Sequence, residues 1–155
     1  MRFSIDSNIL VYAFIRDDPR KHKIAAEIMV RAMTLDCVLA AQTVAEFLNI
    51  IRRKQPQLFE HARAQAKRWH VTLELLDTSG DHILKAADFA ARHKLQLWDS
   101  IIWQVVRSAH AVLFLTEDLQ DHLAIDGMRV LNPFDSTNDN ELQNLLSWAD
   151  DAGIE

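Results

Sequence analysis

Phe3-Ser4-Ile5-Asp6-Ser7-Asn8-Ile9-Leu10 reads as a short buried strand that stops on a carboxylate and turns at once into a helix. In an open α/β sheet the first strand usually lies in the middle of the layer, and ligands gather in the crevice beyond the carboxyl ends of such strands. Asp6 stands at that crevice. A structural role competes with the chemical one, because Asp, Ser and Asn are all favoured helix N-caps and Asp6, Ser7 or Asn8 could cap the following helix. Taken alone, the carboxylate divides evenly between cap and site.

Working outward, Asn8 to Phe14 reads as a short helix. Asp17-Asp18-Pro19 marks a stop and a new start with Pro in the first turn, and Lys21 to Met33 carries Ile24, Ala25, Ile28, Met29 and Ala32 at helical spacing. Cys37-Val38-Leu39-Ala40-Ala41 fits a second buried parallel strand. It leads into a helix from about Gln42 to Arg53, with Val44, Phe47, Leu48 and Ile51 on one face and Glu46, Asn49 and Arg53 opposite. Glu46 is therefore not a core residue, although Thr43-x-x-Glu46 also matches a capping box. Pro56 opens a helix to about Trp69, Val71 to Leu76 reads as a third strand, and Ser79 to His93 as an amphipathic helix.

Leu95-Gln96-Leu97-Trp98-Asp99-Ser100 leads into a helix over Ile101 to Ala109, with Asp99 at its first position, where the helix dipole favours a carboxylate. Val112-Leu113-Phe114-Leu115-Thr116 is a clear strand that ends on Glu117-Asp118. A last strand, Met128 to Leu131, closes at Asn132-Pro133. These assignments predict an α/β fold of three layers, α/β/α, with a mainly parallel sheet from strands near 2–6, 37–41, 71–76, 112–116 and 128–131. Beyond Phe134 a polar stretch leads to an amphipathic tail helix, Glu141 to Ala149, bearing Leu142, Leu145, Leu146 and Trp148. The expected division is a domain over residues 1–134 and an acidic extension over 135–155.

At 155 residues and 49% hydrophobic content the chain suits one domain with a full core. Its single cysteine, Cys37, excludes an internal disulfide and a multi-cysteine zinc site. The sequence shows neither a signal segment nor an apolar run long enough for a bilayer, so a cytoplasmic protein is expected. A net charge of −5 conceals an asymmetry: residues 117–155 hold 10 acids and one base, residues 1–116 hold 12 acids and 16 bases, giving −9 and +4. Between Arg52 and Arg68 six bases, Arg52, Arg53 and Lys54 among them, face the single acid Glu60, a weak signal for phosphate binding. Three glycines in the whole chain exclude a glycine-rich phosphate loop, and no pair of histidines has zinc-protease spacing.

Asp6, Glu46, Asp99 and Asp118 share one context. Two end strands and two lie in first turns of helices, positions that fall on one edge of a parallel layer. Crowded carboxylates repel one another, and hard divalent cations relieve that repulsion. An oxygen-only donor set favours Mg²⁺ or Mn²⁺ over zinc, and a pair of such ions can activate a water and stabilise the leaving oxygen of a phosphodiester.

The chain resembles the PIN-domain ribonucleases, and within them the VapC-like toxins of type II toxin–antitoxin pairs. The resemblance rests on Ile5-Asp6-Ser7-Asn8-Ile9-Leu10, Gln42-x-x-x-Glu46-Phe47 continuing to Arg52-Arg53-Lys54, Leu97-Trp98-Asp99-Ser100-Ile101-Ile102, Leu115-Thr116-Glu117-Asp118-Leu119-Gln120 and Val130-Leu131-Asn132-Pro133-Phe134, in that order over residues 1–134. It implies that Asp6, Glu46, Asp99 and Asp118 bind one or two Mg²⁺ or Mn²⁺ ions and carry catalysis, with Asn8 and Thr116 as supporting polar groups. Glu117 adjoins Asp118, and either could face the metal. It further implies an RNA substrate, a cognate antitoxin and a homodimer. The chain departs from the pattern at Asp121-His122-Leu123, where a His-Gly-like turn is expected. Two other readings stay open: a non-catalytic protein-binding domain whose carboxylates are caps, and an aspartyl-phosphate phosphatase, disfavoured because position 8 is Asn8 and not a second Asp.

Overall fold

The computed structural model describes residues 1–151, with side chains as far as Ser147. Six strands form one sheet: β1 (Phe3–Ile5), β2 (Cys37–Ala40), β3 (Glu74–Leu76), β4 (Leu113–Leu115), β5 (Ala124–Ile125) and β6 (Met128–Leu131), in the order β3-β2-β1-β4-β6-β5. All neighbours are parallel except β5 and β6. The helices are α1 (Ser7–Phe14), α2 (Pro19–Ala32), α3 (Ala41–Lys54), α4 (Phe59–Thr72), α5 (Gly80–His93), α6 (Leu97–Ser108) and α7 (Asp139–Asp151).

Alternation along the strands sorts the core into two layers, as the period of two requires. Phe3, Ile5, Cys37, Leu39, Leu113 and Leu115 face a cluster that includes α1, α2, α3, α4 and α7. Val38, Ala40, Phe114 and Val130 face the other way, against Phe89 of α5 and Ile102, Trp103 and Val106 of α6. The three-layer α/β/α expectation holds. Strand β1 is central: the chain runs outward through β2 and β3, then crosses back to β4 on the other side. That reversal opens a crevice beyond the carboxyl ends of β1 and β4, where Asp6 and Thr116 follow their strands. Cys37 is buried in the first layer, and burial pushes its thiol pKa up.

Several element boundaries differ from the sequence expectations. The third strand is not Val71 to Leu76: α4 runs on to Thr72, whose hydroxyl donates to the Arg68 carbonyl, and Val71 lies 84% exposed on its last turn. Apolar content there reflects a solvent-facing helical residue. Helix α6 begins at Leu97, so Asp99 is its third residue and not its first. The capping box expected of Thr43 and Glu46 does not form, because the N-cap of α3 is Ala40, Thr43 is buried and Glu46 bonds elsewhere. Strand β5 was not expected; it pairs with β6 across Asp126-Gly127, whose φ angles of 50° and 79° are those of a tight two-residue hairpin.

The tail is woven into the core. Leu142, Leu145 and Leu146 of α7 are buried in the first layer with Phe3 and Ile28, and Arg31 donates to the Leu146 carbonyl at 2.8 Å. Arg129 pairs with Glu141. The side chain of Trp148 lies outside the described residues. Asp121 anchors the approach to α7, accepting from the Asn132 amide at 2.8 Å, the His122 amide at 3.1 Å and the side chain of buried Asn138 at 2.7 Å. His122, where a glycine-like turn is expected, takes φ 61°, the left-handed conformation that favours glycine.

Candidate active site

The end of β1, the start of α1 and the end of β4 meet around Asp6. Its Oδ1 accepts the Ser7 amide at 2.7 Å and caps α1, while Oδ2 accepts the Thr116 hydroxyl at 2.6 Å. Cap and site are therefore compatible in one carboxylate, each using a different oxygen. The Asn8 side-chain amide donates to Thr116 Oγ1 at 3.0 Å, Asp118 Oδ2 at 3.0 Å and Asp6 Oδ2 at 3.3 Å. Thr116 Oγ1 also accepts the Asp118 amide at 3.1 Å. Asn8 and Thr116 thus link the two strand-terminal acids.

Glu46 arrives from α3. Its carboxylate accepts from Ser7 Oγ at 3.1 Å and from Gln42 Nε2 at 2.8 Å, and the same Gln42 amide reaches the Trp98 carbonyl at 3.1 Å, next to Asp99. Ser7 and Gln42 were not singled out as site residues from the sequence. The i, i+4 spacing of Gln42 and Glu46 was the available signal, since such residues share a helix face.

Electrostatics join what the hydrogen bonds leave apart. Asp6 is 5% exposed, and burial raises its pKa to about 7, with Asp118 and Asp99 adding to the rise against the lowering by its Thr116 and Ser7 hydrogen bonds. Asp99, half-buried, is raised by burial and then by Glu46 and Asp118. The four acids thus form one interacting group. Glu117 does not belong to it: its carboxylate accepts from Lys21 at 2.6 Å and Tyr12 at 2.7 Å. That bond to Glu117 raises the Lys21 pKa, and the ammonium lies over the Tyr12 ring.

Among the described residues no three Asp, Glu, His or Cys side chains converge as a preformed metal cage. Asp6, Glu46 and Asp118 turn instead to the neutral donors Ser7, Asn8, Gln42 and Thr116. The donor chemistry nonetheless fits a hard divalent cation, being oxygen-rich carboxylate with mutual repulsion. Asn8 Oδ1, buried and without a hydrogen-bond partner, is a further oxygen at the same place.

Arg52, Arg53 and Lys54 form the exposed last turn of α3. They also stand at the negative end of that helix, a structural use for three cations. Lys54 and Ile50 line a cleft of about 410 Å³ with Asn8, Val11, Tyr12, Ile15, Asp17 and Asp18, so the cationic end of α3 opens toward Asn8. Further along, Arg63 pairs with Glu60 and Arg68 bonds Gln65, the arrangement of ordinary solvated helix faces.

The chain matches the family model of the PIN domain over residues 4–126 and belongs to that family. Among solved structures, its fold is similar to VapC20 of Mycobacterium tuberculosis, described as a toxin that cleaves the sarcin–ricin loop, at TM-score 0.60 and 14% identity over 81% of this chain and 90% of that one. A toxin–antitoxin complex from Klebsiella pneumoniae gives TM-score 0.61 and 18% identity, over 84% of this chain and 96% of that chain. The VapBC2 complex of Rickettsia felis, bound to a promoter DNA fragment, gives 0.61 and 15%, over 85% and 98%. A comparison with curated proteins finds no match. No helix among the described residues is long and apolar enough to cross a membrane.

Proposed function

We propose that this chain is a metal-dependent endoribonuclease and the toxin of a toxin–antitoxin pair. The observation that carries the reading is the group formed by Asp6, Glu46, Asp99 and Asp118 at the carboxyl edge of a parallel sheet, within a PIN fold. The toxins and toxin–antitoxin complexes among the structural neighbours supply the biological context. Residues 1–134 are the nuclease domain and 135–155 an extension, in a cytoplasmic setting.

In this reading one or two Mg²⁺ or Mn²⁺ ions, held by Asp6, Asp99 and Asp118 with Glu46, supply water activation and charge stabilisation at the leaving oxygen. The protein's own part is orientation. Thr116 and the Ser7 amide fix the two oxygens of Asp6, Asn8 ties Asp118 to Asp6, and Ser7 and Gln42 aim Glu46. Asp118 is the fourth acid and Glu117 a scaffold residue, because Glu117 is committed to Lys21 and Tyr12. Arg52, Arg53 and Lys54 attract the RNA backbone. The antitoxin inhibits by offering a cation, an arginine, to the acid cluster, and the toxin forms a homodimer.

The deciding experiment is cleavage of single-stranded RNA by the purified protein with Mg²⁺ or Mn²⁺, stopped by chelation. Asp6→Asn and Asp99→Asn, which preserve shape, are expected to abolish cleavage while remaining folded. The capping hydrogen bond of Asp6 favours a second reading, a non-catalytic binding module. Folded variants that cleave as fast as the parent, or a parent that binds no divalent metal, would put that module in front.

A further inference from the structure

One exposed aromatic residue, next in the chain to an acid of the cluster, is used by neither the core nor the chemistry. Trp98 is 64% exposed, whereas Trp69 and Trp103 are buried against other rings. Of the described large hydrophobic side chains that are exposed, it is the only aromatic. Exposure of one apolar residue is ordinary in itself. Its position is not, since Trp98 immediately precedes Asp99 and its carbonyl is held by the Gln42 amide that also holds Glu46.

Helix α3 sets the frame. Gln42, Glu46, Ile50 and Lys54 recur every four residues along it, forming a slowly turning stripe about 18 Å long at 1.5 Å per residue. Trp98 adjoins the Gln42 end, the acid cluster gathers at Glu46, and the cleft that begins at Asn8 ends on Lys54. A polyanion on this stripe meets a cation only at the Lys54 end. In metal-free protein the carboxylates toward the other end repel phosphate, and affinity there must come from a contact indifferent to charge. An indole face supplies it, because every unpaired base has a π face to lay on it.

We propose that Trp98 is a stacking platform for one unpaired base of single-stranded RNA, on the side of the acid cluster opposite Lys54. Trp98 is thus a substrate-positioning residue, and this rests on the ribonuclease reading.

The test uses the full chain and a fluorescein-labelled single-stranded RNA of twelve nucleotides and mixed sequence, with chelator present and binding followed by anisotropy. Trp98→Ala is expected to weaken binding roughly 5- to 150-fold, the range of base–aromatic stacking, and Trp98→Phe to retain most of it. The salt dependence of binding should be unchanged in Trp98→Ala and reduced in Lys54→Ala, since only the lysine releases counterions. A scan of single abasic positions through the RNA should find one whose loss is not additive with Trp98→Ala. Parent-like binding by folded Trp98→Ala, full additivity at every abasic position, or loss of self-association in its place would overturn the platform while leaving the ribonuclease reading intact. A parent that binds this RNA neither in chelator nor with Ca²⁺ in place of chelator would overturn both.

Discussion

Asp6 is asked to be buried, to cap a helix and to carry charge beside other acids, and these demands have a measurable cost. Its folded pKa is about 7 against an ordinary 3.8, burial being the main cause. Between those values the folded protein holds a proton that the unfolded chain has released, so in metal-free protein the stability this group contributes is complete below about pH 4 and is lost as pH rises through 7. Asp6→Asn removes the titration. Urea unfolding in chelator from pH 4 to pH 8 should show the variant gaining on the parent by at most about 4 kcal/mol across that window. A constant difference between the two would mean that Asp6 is not held protonated by its surroundings. The position of this residue was legible in the sequence because a strand ending on an acid is a local pattern. Its double use, one oxygen for the cap and one for Thr116, was not, because Thr116 lies 110 residues away.

Elements were legible where local periodicity and burial agree and misread where they part. Helix α2 begins as its signals require, with Asp18 as cap and Pro in the first turn, and Ser79 caps α5. By contrast Thr43-x-x-Glu46 has the spacing of a capping box, yet strand β2 passes so directly into α3 that Ala40 takes the cap position and Glu46 is free to reach Ser7. Val71 looked like strand because apolar content alone cannot distinguish a helix end from a short edge strand. The Asp126-Gly127 dipeptide is a hairpin signal, but with only two residues of β5 before it no alternating strand pattern accompanies it. The turn before β5 carries a sharper test. Asp121 satisfies three donors from three places in the chain, so Asp121→Ala leaves the buried Asn138 amide without one of its acceptors. Chemical denaturation should register a loss of about 2–4 kcal/mol, and Asp121→Asn, which keeps one acceptor oxygen, should lose less.

At the scale of the whole molecule, the acidic tail belongs to the core by packing, even though its composition sets it apart. The amphipathic face of α7 is legible in the sequence, but periodicity cannot say what such a face covers; here Leu142, Leu145 and Leu146 complete the layer over Phe3 and Ile28. Burial of three leucines contributes on the order of 5 kcal/mol, and truncation after Asp135 should lower the unfolding midpoint accordingly. The lone thiol of Cys37 offers a way to watch this. It is 6% exposed, in a strand beside the centre of the sheet, in the same layer that α7 closes. A thiol so placed is chemically silent until the sheet opens. Its rate of alkylation is therefore a clock for that opening, read without denaturant and without an introduced residue. Truncation should quicken the clock, whereas Trp98→Ala, a change at an exposed side chain, should leave it running at the parent's pace.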